Sequence, residues 1–238
     1  MRKPSGAREL NGVRISAATI RWIICLSLLF AQVVDLRSAG DSDSQPGRMP
    51  PNLTIFLVRH AEKPDKGSEL APEGFARAQK YVQYFQNQAK YNGQPIRWNY
   101  LFASGESDKS DRPFLTIQPL SQAIDVKIDS DFKNKHFKDL IKELKKNKGT
   151  KFDNANVLIC WHHGEILDLA SALGANQGDL PQSAHWPDKW PKNAYGWLLK
   201  IYYKPDGTLD RQHTEAVNEH LMPDDTVSPE KSGPAHGQ

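Results

Sequence analysis

Three short polar clusters, each closing an apolar run, hold the residues of this chain that could do chemistry. The run Leu53 to Val58 ends in Arg59-His60 and passes into the charged, proline-stopped loop Ala61-Glu62-Lys63-Pro64. Tyr100-Leu101-Phe102-Ala103 leads into a polar loop from Ser104 to Asp111, then Arg112-Pro113-Phe114-Leu115-Thr116. Val157 to Trp161 ends in His162-His163-Gly164-Glu165. Arginine and histidine together suit phosphate chemistry. A guanidinium grips phosphate oxygens with its planar fork, and a neutral imidazole nitrogen can attack phosphorus.

The apolar runs have the look of strands buried on both faces of a parallel sheet, and ligands of open α/β sheets bind beyond the carboxyl ends of such strands. After the first strand, Pro72-Glu73-Gly74 opens a helix: proline suits the first turn and Glu73 complements its dipole. Phe75, Ala78, Val82 and Phe85 then predict its apolar stripe, with Arg77 off it. Arg112 to Ile124 reads as a helix interrupted near Pro119, and Val126 to Ile128 as a short strand. Phe137, Leu140, Ile141 and Leu144 line one face of a further helix whose other face is a solvated ring of lysines. The third strand feeds a helix to Leu173, a Trp- and Pro-rich loop follows, and Ala194 to Tyr203 reads as a strand before the turn Pro205-Asp206-Gly207-Thr208. Alternating strands and helices predict an α/β fold, a three-layer α/β/α sandwich with a mostly parallel central sheet.

The order Arg-His, then Ser…Arg-Pro…Thr, then His-Gly resembles the histidine phosphatase (phosphoglycerate mutase-like) superfamily over about residues 53 to 203, and within it the small phosphatases rather than the mutases with a large cap. The resemblance implies that His60 is a nucleophile forming a phosphohistidine, and that Arg59 and Arg112 bind the phosphate. It places the second histidine directly before glycine, hence on His163, as a phosphate-binding group. The family's compact serine-to-arginine spacing is met here by Ser107, whereas Ser104 lies eight residues before Arg112. For the proton donor, Glu165 is favoured, with Asp129, Asp131 and Glu62 as alternatives. Arg59 and Arg112 are expected to keep His60 neutral, as attack requires. The implied activity is metal-independent phosphomonoester hydrolysis with no cofactor. The alternatives are a phosphate-binding or scaffold protein on the same fold, and a phosphomutase.

Alternation along a strand lets only one of His162 and His163 enter a site on one face, and likewise separates Arg59 from His60 unless the chain turns. The diverging histidines, with no Cys, Asp or Glu cluster at ligand spacing, argue against a metal centre. His185, Trp186 and Trp190 lie on a loop that could border the pocket.

A net charge of +3 over 238 residues gives no case for nucleic acid, and two cysteines, Cys25 and Cys160, exclude a disulfide framework. The expected partner is a small-molecule phosphomonoester. Arg2, Lys3, Arg8, Arg14 and Arg21 precede the apolar run Trp22 to Val34 and the small residues Ser38-Ala39-Gly40. That is a secretory signal pattern over residues 1–40, with an N-terminal membrane anchor as the alternative reading. Either predicts a domain outside the cytoplasm, periplasmic or secreted. Residues 41–52 read as a linker, 53–212 as the phosphatase domain and 213–238 as a disordered tail.

Overall fold

A computed structural model describes residues 48–229, apart from residues 92, 106–109, 147, 148 and 150. β1 (Thr54–Arg59) is buried at every position. Its apolar side chains have somewhere to go on both sides. Ile55 and Leu57 join one core, whereas Phe56 and Val58 join a second. β6 (Asn156–Trp161) lies parallel beside it in direct register, Thr54 opposite Asn156 through Arg59 opposite Trp161. The remaining strands are β4 (Tyr100–Ala103), β5 (Ile128–Asp129), β7 (Trp197–Tyr202) and β8 (Glu215–Asn218), in the order β5-β4-β6-β1-β7-β8. The first four are mutually parallel; β7 is antiparallel to β1, and β8 is antiparallel to β7. Two short strands, β2 (Lys90–Tyr91) and β3 (Gln94–Pro95), form a separate hairpin.

Helices cover both faces. α1 (Pro72–Gln83) and α2 (Arg112–Ile124) supply Tyr81, Ile117 and Leu120 to one core. α3 (Phe137–Lys146) and α4 (Ile166–Ala172) supply Leu140, Leu144, Ile166 and Leu169 to the other. The fold is therefore the α/β/α sandwich expected, with the carboxyl ends of β4, β6 and β1 side by side.

Four local expectations need correction. The buried stripe of α1 is Gly74, Arg77, Ala78 and Tyr81, while Phe75 is 45% exposed. The small side chains mark the face that docks: a Cβ at Gly74 would collide with the Glu62 carbonyl. α2 runs unbroken through Pro119. Proline forfeits one backbone bond, but Ile117 and Leu120, both fully buried, anchor the helix on either side. Finally, the segment from 213 does not begin a tail. Glu215–Asn218 pairs with β7, Trp197 opposite Asn218 through Lys200 opposite Glu215, and the chain stays folded to Pro229. The Pro- and Gly-rich composition belongs to the residues beyond it. At the other end, Met49, expected in the linker, is 2% exposed and its N–H donates to the Gly207 carbonyl. The leader and residues 230–238 lie outside the described residues.

Candidate active site

The parallel ladder between β1 and β6 continues one step past the strands: the His60 N–H donates to the Trp161 carbonyl at 2.9 Å. In-register neighbours of a parallel pair point to the same side. His60 therefore lies beside His162, their ring centroids 5.1 Å apart and edge to face. The family resemblance gives the second-histidine role to His163, the residue directly before Gly164. Counting along the strand from Asn156 puts His162 there instead. His163 falls on the other side, near Arg59, Glu165, Lys192 and Lys63.

His60 is 3% exposed, and its Nδ1 lies 2.7 Å from the Ala61 carbonyl. A carbonyl only accepts, so Nδ1 carries the hydrogen and Nε2 keeps its lone pair. Burial pushes the His60 pKa down to about 2, the Ala61 bond opposes this, and Arg59, His162 and Arg112 lower it further. Burial likewise lowers His162 to about 4, with Arg112 the next cause. Both rings are neutral at ordinary pH. The sequence reading credited the arginines with His60's neutrality; burial is the larger cause.

Arg59 leaves the strand on the opposite face and is 1% exposed. Its Nη1 donates to the carbonyls of Lys192 (2.7 Å) and Ala194 (3.0 Å), with Pro191 at 3.5 Å. Its guanidinium stacks on the Tyr195 ring, 3.8 Å from the centroid, and its Nε makes no hydrogen bond. Burial lowers its pKa to about 10, so the charge persists at neutral pH. Tyr195 also stands 6.3 Å from His60. The sequence predicts a strand from Ala194, but β7 starts only at Trp197, and the Tyr-Gly pair after a proline-rich stretch is the loop signal that sets Tyr195 ahead of it.

Arg112 opens α2 and points back at the β1 loop, donating from Nη1 to the Gly67 carbonyl at 3.0 Å. Thr116 ties the same two elements. Its hydroxyl accepts from the Ala61 N–H at 2.8 Å and donates to the Arg112 carbonyl at 2.7 Å. Ser68 bonds Asp111 beside them. Ser104 is buried at the end of β4, its N–H bonded to Cys160 and its hydroxyl without a partner; Ser107 is outside the described residues.

The candidate acids separate. Glu165 accepts from Asn134 Nδ2 at 2.8 Å and faces His163, whose pKa is lowered by burial first and Arg59 next, with the Glu165 charge opposing both. Asp131 is exposed, and its N–H donates to Asp129. Glu62 is claimed by Arg77, which grips it through Nε (2.9 Å) and Nη2 (2.6 Å). The other edge of the Arg77 guanidinium holds Asp225 at 2.9 and 2.7 Å. Burial opposes the Arg77 charge, yet these hydrogen bonds hold its pKa above the ordinary 12.5. Glu62 thus positions the loop after His60. An arginine between Gly74 and Ala78, on the small-residue face, was the signal that acids had to meet it.

Beside this network Glu219 is buried, its carboxyl set against the buried Tyr81 hydroxyl. Burial raises its pKa from 4.5 to about 8, against the pull of Arg77. Such a carboxyl folds protonated. Stability therefore falls as pH rises from 4.5 through 8, because only the folded state still binds the proton. His60 and His162 work in the opposite sense: folded neutral, they lose stability as pH falls below 6.5. Between pH 6.5 and 8 the Glu219 effect stands clear of the other two and amounts to about 2 kcal/mol. Urea unfolding should show that loss in the wild type and none in Glu219→Gln. Equal slopes in both proteins would mean that Glu219 is ionised throughout.

No protein-family model and no curated protein sequence matches the chain. In structure it is similar to histidine phosphatases and phosphoglycerate mutases. The protein histidine phosphatase SixA complexed with tungstate is 11% identical with a TM-score of 0.45, over 69% of this chain and 97% of that one. Phosphoglycerate mutase from Bacillus anthracis is 12% identical with a TM-score of 0.45, over 68% and 92%. That from Plasmodium falciparum is 15% identical with a TM-score of 0.43, over 67% and 87%.

Proposed function

We propose that the chain is a metal-independent phosphomonoester hydrolase acting through a phosphohistidine on His60. The observation that carries this reading is the His60 ring itself: buried, neutral, its Nδ1–H committed to Ala61 and its Nε2 lone pair beside His162. Arg59 and Arg112, both close enough to depress it electrostatically, supply positive charge for a phosphate. Nε2 attacks phosphorus as the bond to the leaving oxygen breaks, and the two guanidiniums and the His162 N–H take up the charge on the equatorial oxygens. Water then attacks the phosphohistidine, releasing inorganic phosphate and returning the electron pair to Nε2.

The leaving alkoxide needs a proton, and we assign it to Glu165 among the four carboxyls considered. Glu62 is locked by Arg77, the Asp129 carboxylate accepts from the Asp131 N–H, and Asp131 is exposed. Glu165→Gln should slow hydrolysis of an alkyl phosphate by about 10²-fold and of an aryl phosphate by under about tenfold, since a phenolate leaves without a proton. Equal losses on both would remove Glu165 as the donor.

The reading as a whole is tested by incubating the purified protein lacking residues 1–40 with a panel of phosphomonoesters, with and without chelator. Phosphate release insensitive to chelator supports it. Tight phosphate binding without turnover would favour the scaffold alternative. Export belongs to the same proposal and rests on the basic, then apolar, leader; N-terminal sequencing of the mature protein from a periplasmic or culture fraction tests it.

A further inference from the structure

A groove of about 1140 Å³ opens beside the site, and His163 forms part of its wall. Its other side is the loop whose carbonyls hold Arg59, Pro191 and Lys192 among its lining residues. Leu167, Trp190, Trp197 and Val227 supply its apolar surface. A phosphate held between His60, His162 and the two arginines needs none of this space. Asp168, Asp188, Lys189 and Ser228 also line the groove, so charged groups stand at its edge beside the apolar walls, and the volume is ample for a small molecule.

Val227 makes the groove more than incidental. Among the described residues, only Phe75 (45%) and Val227 (38%) are large apolar side chains left well exposed. The segment bearing Val227 is fixed in place. The Trp197 indole donates to its carbonyl at 2.6 Å, the Asn218 amide donates to the same oxygen at 2.9 Å, and Asp225 two residues earlier is held by Arg77. An exposed valine on a tied-down wall is a built apolar surface facing solvent.

Resting on the phosphatase reading above, we infer that this groove binds the organic part of the substrate, and that the preferred substrates are phosphomonoesters with a large, mainly apolar leaving group such as a fused-ring aryl. The continuity is through His163 and Lys192, which both line the groove, the Lys192 carbonyl holding Arg59 at 2.7 Å. The displacement of His163 from His60 by strand alternation leaves it free to meet the leaving group rather than the phosphate.

The test compares 2-naphthyl phosphate with phenyl phosphate, whose leaving groups have similar acidity, so that a difference reports binding. The wild type should favour the naphthyl ester in kcat/KM by about tenfold or more, the scale of an added hydrophobic contact in a pocket. Leu167→Arg and Val227→Asp should each bring that ratio toward one. Val227→Asp changes an exposed side chain and retains the backbone bonds, so it remains informative if Leu167→Arg folds poorly. A ratio near one in the wild type, or one the variants leave intact, would overturn the inference. Binding is read separately from turnover by titrating 2-naphthylmethylphosphonate against the fluorescence of Trp190 and Trp197, with methylphosphonate as the control. If neither ester is hydrolysed the phosphatase reading fails, while quenching by the naphthyl compound alone, lost in Val227→Asp, would still establish the groove. Absence of that quenching overturns the groove whether or not the esters turn over.

Discussion

His60→Ala should abolish phosphate release, lowering kcat by about 10⁴-fold or more, because removing a nucleophile removes the pathway and not one contact among several. The companion measurement is chemical. Stopping the wild-type reaction in base should retain a phosphoryl group on the protein that acid then removes, and peptide mapping should place it on His60. With burial holding the His60 pKa near 2, the ring is neutral throughout pH 4–8. The adduct should therefore still form at pH 4.5, where an exposed histidine would be mostly protonated and inert. Phosphate trapped on a serine or aspartate, or an adduct lost below the ordinary histidine pKa of 6.5, would show that the attacking group is something else.

The second large effect distinguishes two adjacent residues. His162→Ala should cost about 10²- to 10³-fold in kcat, the scale of losing one preorganised donor to the transition state. His163→Ala should cost far less in kcat and show mainly in KM for large substrates. The reasoning is geometric: His162 continues the β6 ladder opposite His60, with rings 5.1 Å apart, whereas His163 turns to the face that carries Glu165. Steady-state kinetics of the two variants decide it. The reverse pattern would mean that β6 bends after Trp161 when phosphate is bound.

Much of this architecture was legible because the strands announce themselves. Runs such as Leu53 to Val58 and Val157 to Trp161 are long enough to be unambiguous, and each ends in the groups that matter. Distances across the sheet were not legible. Whether His162 or His163 meets His60 depends on the register of β6 against β1, and alternation alone offers both answers. Glycine spacing then pointed to the wrong one. Arg77 was hidden for a related reason: its partners are Glu62, fifteen residues away, and Asp225, 148 residues away. No local pattern encodes a contact of that separation. Tyr195 and Glu219 share this property, each taking its meaning from a neighbour on another element. β8 was missed because four residues of modest alternation carry little signal beside a polar, proline-rich stretch.

The two-sided grip on Arg77 sets an order of assembly. Its contact with Glu62 closes a short loop and can form once α1 docks against β1. Its contact with Asp225 must wait until β7 and β8 have joined the sheet, and long-range closures of this kind are the slow steps of folding. Until then a cation bound for full burial has half its partners, and the loop after His60 is held from one side only. Secondary structure and a collapsed sheet can thus precede a working site by a measurable interval, with the C-terminal segment as the last piece to seat. The seating of the loop after His60 is, on this account, among the last events of folding, and it depends on Asp225, more than 160 positions away.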